Sequence, residues 1–193
     1  MNPWETADLA VLETINREWT HPVLDTFFVW LTKPPHEEVY FIVAAILLMT
    51  LGGRRGRLAV PWVALAVLLA DQISASVLKP WIDRMRPCFA HPEEVRLLLE
   101  RQARSPSFPS SHATNAFAVA MVLFGVHKWL GWSALGLAFL IAYSRPYVGV
   151  HYPSDTLAGL VLGVLLGLGC LYLQRRFLAW RKGRQASAAA EVP

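Results

Sequence analysis

Ser144-Arg145-Pro146-Tyr147-Val148-Gly149-Val150-His151-Tyr152-Pro153-Ser154-Asp155 decides how the rest of the chain is read. It lies between two apolar runs, 130–147 and 153–174, so an arginine, a histidine and an aspartate are held where a membrane meets water. Pro153 suits the first turn of a helix, where its missing N–H would have had no carbonyl partner. A helix starting there puts Asp155 about one turn past His151, within reach of a ring nitrogen. A carboxylate on one imidazole nitrogen fixes the tautomer and leaves the other nitrogen free to attack. Arg145 adds a planar fork of donors that matches phosphate oxygens. The stretch therefore offers a nucleophile, its orienter and an anion clamp.

The runs on either side are part of a chain-wide pattern. Of 193 residues, 54% are hydrophobic and only 17% charged, and mean hydropathy is +0.36. Apolar runs at 23–33 (long enough to cross a bilayer if extended back to residue 16), 37–51, 58–79, 112–128, 130–147 and 153–174 predict an all-α polytopic membrane protein, a bundle of six transmembrane helices. Residues 3–19 mix Leu9, Val11, Leu12 and Ile15 with Glu5, Asp8, Glu13 and Arg17, the pattern of a helix lying in the membrane interface. Pro80 predicts a kink at the end of the third run. Residues 1–184 form one domain, and the Ala-rich tail 185–193 is expected to be disordered.

Six crossings place both termini on one side, together with the basic turn Gly52–Arg57, Lys128, and the cluster from Arg175 to Arg184. The positive-inside rule makes that side cytoplasmic. The long polar excursion 81–111 and the Ser144–Asp155 stretch then face the exterior. A loop of that length is usually functional, and its charged piece Glu93–Arg104 is read as an amphipathic lid or headgroup contact. The formal charge of +4 is spread between apolar runs, which suits anionic lipid surfaces and not nucleic acid. Cys88 and Cys170 have no metal-ligand spacing and predict no disulfide. The acidic N-terminus is unlike a cleavable signal. No feature calls for an obligatory protein partner or a cofactor.

Two further clusters share the exterior face with Arg145, His151 and Asp155. Lys79 precedes Arg86-Pro87, and Pro109-Ser110-Ser111-His112 opens the fourth run. Ser110 or Ser111 would cap that helix, and free N–H groups there attract an anion. Each cluster alone has an ordinary reading: snorkelling cations, a helix cap, a structural histidine. Together, two histidines, three cations and two hydroxyls supply what phosphoryl transfer requires. The residues alone leave open which histidine attacks.

In order and spacing the three clusters resemble the type-2 phosphatidic acid phosphatase (PAP2) superfamily: Lys-x6-Arg-Pro at Lys79 to Pro87, Pro-Ser-Gly-His at Pro109 to His112 with Ser111 in place of glycine, and Ser-Arg-x5-His-x3-Asp at Ser144 to Asp155. The resemblance implies His151 as nucleophile, Asp155 as its orienter and His112 as acid and then base. It implies Lys79, Arg86, Ser110, Ser111 and Arg145 as phosphate ligands, and no metal. It also implies a lipid phosphate substrate at the outer face of a bacterial inner membrane. Undecaprenyl diphosphate comes first, with phosphatidylglycerophosphate, phosphatidate, lipid A or phosphoryl transfer to a second lipid as alternatives. Vanadium-dependent haloperoxidases resemble the same pattern, but they are soluble and longer.

Overall fold

The structure is a computed structural model and describes residues 3–33, 42–43, 45–46, 48–50, 52–100, 102 and 104–190, the last five of these as backbone only. Every regular element among them is helical. Helix α1 (Pro3–Glu13) runs into a π-helical turn, Thr14–Glu18, and α2 (Pro22–Thr32) follows. His21 caps α2, its ring accepting the N–H of Val23 at 3.2 Å. The Pro34-Pro35 break and much of the 37–51 run lie outside the described residues; those described within the run are helical. Helix α3 (Gly53–Asp71) continues through a π-helical stretch, Gln72–Leu78, into α4 (Lys79–Ile82). Then come a short α5 (Pro87–Ala90), α6 (Ser111–Phe124), α7 (Lys128–Tyr147) and α8 (Pro153–Ala190).

Helix α6 is the axis of the assembly. Ala113, Phe117, Ala118, Ala120 and Val122 point in different directions around it, and all are fully buried. A helix apolar on every side belongs inside other helices, and α3, α7 and α8 pack round this one. The outward faces of those neighbours are also apolar: Leu68, Phe139, Leu140, Val161 and Leu165 are exposed. An apolar surface of that kind fits lipid better than water. The stretches Gly53–Ala90 and Pro153–Gln185 are long and apolar enough to cross a bilayer; α2 and α6 are apolar but shorter.

Three details differ from the expectations above. The chain stays helical through Pro80, passing from the π-helical stretch directly into Lys79–Ile82. The π-helical stretch before it shifts the carbonyl ladder that a proline ring would otherwise strike, and the chain turns at Asp83, whose φ of 46° is left-handed. Among its described residues the Glu93–Arg104 piece forms no helix, and it lies as a strap across the π-helical turn after α1, across α2 and at the end of α7. Helix α8 continues to Ala190, past the boundary expected at residue 185, as alanine-rich sequence readily does; residues 191–193 lie outside the described residues.

The strap is tied down by one buried amide. Asn16, fully buried, donates to the carbonyls of Arg96 (2.9 Å) and Tyr147 (2.7 Å) and accepts the N–H of Arg96 (2.7 Å). Arg96 in turn grips Asp25 of α2 through both guanidinium nitrogens, at 2.8 and 3.0 Å. Asn16→Ala would leave three backbone groups without partners, at a cost of about 2–4 kcal/mol. The expected result is a clearly lower thermal midpoint in detergent, whereas Thr14→Ala, at an exposed side chain, should leave it nearly unchanged. Equal midpoints would mean that Asn16 is not the tie.

Candidate active site

His151 sits in the turn between α7 and α8 and is 1% exposed. Gly149, at φ 83°, makes that turn possible: a Cβ there would be strained and would lie 2.6 Å from the carbonyl of Arg96. The two ring nitrogens face different partners. Nε2 lies 3.0 Å from Nη1 of Arg86. A guanidinium only donates, so Nε2 is the acceptor and the single proton of the neutral ring is on Nδ1. Nδ1 faces Oδ2 of Asp155 at 3.4 Å, close but not aligned as a hydrogen bond. Bonds of this kind often tighten only when substrate is bound.

Burial holds the His151 imidazole well below its ordinary pKa of 6.5, and the charges of Arg86, Arg145, His112 and Lys79 push the same way. The ring is therefore neutral at neutral pH. The linked effect on stability has a definite sign. Below about pH 6.5 the unfolded chain takes up a proton that the folded ring refuses, so stability declines as pH falls from there. His151→Asn removes this contribution. The wild type should accordingly lose more of its thermal midpoint between pH 7 and pH 5 than the variant does; parallel slopes would contradict a buried neutral ring.

Asp155 is fully buried in the first turn of α8. Its Oδ2 accepts the N–H of Tyr152 at 2.9 Å and its Oδ1 accepts from Arg84 at 2.7 Å. Arg86 is fixed from behind by Ser105, through the carbonyl (2.8 Å) and the hydroxyl (3.0 Å), and also reaches the carbonyl of Val150 at 3.1 Å. Arg145, in the last turn of α7, donates to the hydroxyl of Thr32 at the end of α2. Lys79 and His112 are only partly buried, and both lie near enough to His151 for their charges to act on it. All five sequence-predicted charged or catalytic groups around His151 are thus in one place.

The two serines differ. Ser110 is the N-cap of α6; its hydroxyl accepts the N–H of Ala113 at 3.5 Å, and its own N–H donates to the carbonyl of Asp155 at 3.0 Å. That last bond joins the start of α6 to the start of α8. The hydroxyl of Ser111 pairs with Ser74 at 3.1 Å, in the π-helical stretch after α3. Close approach of α6 to α8 makes all of this possible. Gly159, Gly163 and Gly167 fall at every fourth position of α8. A Cβ at each would lie 2.7, 2.4 and 2.5 Å from the carbonyls of Ser110, Thr114 and Ala118. Small residues at this spacing let two helix backbones touch.

Arg84 and Asp8 escaped the sequence reading. Arg84 donates to Asp155, to the Ser154 hydroxyl (2.7 Å) and to Asp8 (2.7 Å), and its guanidinium covers the Tyr152 ring at 3.8 Å. Asp8, on α1, accepts the N–H of Ser154 at 3.0 Å and also its hydroxyl. A carboxylate at a helix N-terminus is well placed for both charge and hydrogen bonding. Nothing local in the sequence marks this pair, because the partners lie far apart in the chain.

Comparison with known proteins agrees with the geometry. The PAP2 superfamily model matches residues 59–179, well over half of the chain. The chain is 29% identical over 160 residues to a lipid A 4'-phosphatase of Porphyromonas gingivalis, covering 79% of this chain and only 60% of that relative's length. It is 30% identical over 149 residues to the undecaprenyl-diphosphatase BcrC of Bacillus subtilis, covering 75% of this chain and 72% of the relative. Among solved structures it resembles a transmembrane PAP2-type phosphatidylglycerolphosphate phosphatase from Bacillus subtilis, with a TM-score of 0.66 and 26% identity over 92% of this chain and 87% of that one. With Lys79, Arg86, His112, Arg145, His151 and Asp155 gathered at one end of such a helical bundle, the chain belongs to the PAP2 superfamily.

Proposed function

We propose that the protein is an integral-membrane lipid phosphatase that works through a phosphohistidine. The observation that carries this is the buried, neutral His151, with Nδ1 turned to Asp155 and Nε2 turned to a phosphate-binding type of side chain, Arg86. When a phosphate group enters, Arg86 Nη1 transfers its bond from Nε2 to a phosphoryl oxygen, and the freed lone pair attacks phosphorus. The Nε2–P bond forms as the bond to the leaving oxygen breaks. His112, partly exposed, gives that oxygen a proton. Asp155 stabilises the cationic ring. Water then attacks phosphorus, His112 takes its proton, and phosphate leaves with His151 neutral again. Lys79, Arg86 and Arg145 offset the charge of the phosphoryl oxygens, and fixed cations in a water-poor site are strong stabilisers of such a transition state. Ser110 and the backbone at Ser111 complete the cradle, while the Ser111 hydroxyl serves mainly as a tie to Ser74.

In this reading α2, the apolar run 37–51 whose described residues are helical, α3, α6, α7 and α8 are six membrane-embedded helices, and the site opens at the outer face of a bacterial inner membrane. A lipid carrying a phosphate at the headgroup boundary is the matching substrate. Undecaprenyl diphosphate is the first choice, supported by the likeness to BcrC. The test is phosphate release from undecaprenyl diphosphate, phosphatidylglycerophosphate, phosphatidate and lipid A, each in detergent with excess EDTA. Release that survives EDTA, fastest from undecaprenyl diphosphate, is the expected result. A preference for another lipid would replace the substrate, and loss of all release in EDTA would overturn the metal-independent mechanism.

A further inference from the structure

Beyond the family's motif residues, the His151–Asp155 pair continues outward into a second layer. The guanidinium of Arg84 is held between two carboxylates: Nη1 on Asp155 and Nη2 on Asp8, both at 2.7 Å. Arg84 is fixed from the other sides as well. Its guanidinium lies over the Tyr152 ring, and its carbonyl accepts the N–H of Ser107 at 2.7 Å. Asp8 is anchored in turn on the N–H and hydroxyl of Ser154, one residue before Asp155. Residues from α1 and from the first turn of α8 thus converge on the guanidinium of Arg84, in the turn after α4, and Arg84 carries that support to Asp155.

We propose that Arg84 is a positioning residue for the reaction, and that Asp8 holds Arg84 in place, so that turnover depends on α1 being docked against the start of α8. The inference rests on the phosphohistidine reading. Asp155 has two oxygens to arrange. Arg84 occupies Oδ1 and the Tyr152 N–H one side of Oδ2, so the carboxylate plane is set and Oδ2 keeps a free direction toward His151 Nδ1. Arg84 also sets a positive charge against a carboxylate with no solvent exposure, which favours its ionised form. An ionised Asp155 is what the ring needs when Nε2 bonds to phosphorus and the imidazole becomes a cation. Arg84 touches Asp155, Ser154, Asp8 and Tyr152, and it acts on the reaction through Asp155. Its loss should therefore slow the chemical step more than it weakens substrate binding.

The experiment measures kcat and KM for phosphate release by the full chain in detergent, on whichever of the four lipids above the wild type turns over fastest. The variants are Arg84→Gln, Arg84→Lys, Asp8→Asn and the double variant Asp8→Asn/Arg84→Gln, each normalised to folded protein by size-exclusion chromatography. His151→Ala is the control for the underlying reading. Arg84→Gln should lower kcat about 100-fold with KM changed less than about threefold. Arg84→Lys keeps a charge without the two-armed fork and should recover part of that loss, and it guards against a folding failure in the glutamine variant. Asp8→Asn should lower kcat about tenfold in the wild-type background and have almost no effect once Arg84 is gone, because it acts through Arg84. If Arg84→Gln and Arg84→Lys both stay within threefold of wild type while His151→Ala is dead, this inference falls and the phosphohistidine reading stands. If the main change is in KM, Arg84 is a substrate ligand and the positioning role is wrong. A wild type silent on all four lipids, or an active His151→Ala, overturns both.

Discussion

Replacing His151 with glutamine is expected to cut phosphate release by about four orders of magnitude or more while leaving the protein folded. Glutamine is close in size to the imidazole, and its Oε1 can still accept from Arg86, so the buried site keeps its shape and its main hydrogen bond. It cannot form a stable bond to phosphorus. His112→Gln gives the complementary result. His112 lies in the first turn of α6 and is partly exposed, so its loss should leave attack by His151 possible on substrates with good leaving groups. It should block both protonation of a poor leaving oxygen and activation of water. Incubation with labelled substrate should therefore trap an acid-labile phosphoenzyme in His112→Gln and none in His151→Gln. A phosphoenzyme seen only in His151→Gln would reverse the two roles, which the residue types alone could not assign.

The parts of this site that were legible in the sequence are those whose chemistry is unusual for their setting. Lys79, Arg145 and His151 stand at the ends of apolar runs, where a charge or a titratable ring is costly, Arg86 follows Lys79 at a set spacing, and Asp155 stands one helical turn from His151. Their residue types and spacing are visible without any coordinates. Arg84 and Asp8 are just as charged, but their partnership depends on where α1 docks, and an amphipathic first helix can dock against lipid as readily as against protein. Ser111 shows the same limit. In sequence it reads as a phosphate donor, yet it faces Ser74 because a π-helical stretch turns that residue inward. That stretch also leads into helix that continues through Pro80. The apolar runs foretold an all-helical chain, whereas the central place of α6 follows from burial on all its sides, which the apolar run 112–128 alone does not distinguish from a helix at the lipid-facing rim.

Gly163→Leu should produce the largest structural loss in the molecule. A Cβ at that position would lie 2.4 Å from the Thr114 carbonyl, 2.9 Å from the Phe117 Cβ and 3.1 Å from the Ala118 N, so the obstacle is the backbone of α6 and not a side chain that can rotate away. Overfilling a packed interior generally costs about 1–3 kcal/mol, and a rigid helix backbone puts this case at or above the top of that range. The two helices can only respond by moving apart. Ser110 rests on the same stripe one turn away, through Gly159, and its N–H holds the Asp155 carbonyl. Separation therefore shifts His112 relative to His151, and a displacement of about 1 Å can cost on the order of 100-fold in rate. Gly169 supplies the internal comparison: it lies on the same helix and a Cβ there meets nothing within 4 Å. Gly169→Ala should gain up to about 1 kcal/mol of helix stability with unchanged turnover, while Gly163→Ala already loses both stability and turnover. Thermal midpoints and phosphate release for the three variants decide the matter. If Gly163→Leu matched wild type in both, α6 and α8 would not be in backbone contact, and the route by which His112 and His151 are brought together would have to be sought elsewhere.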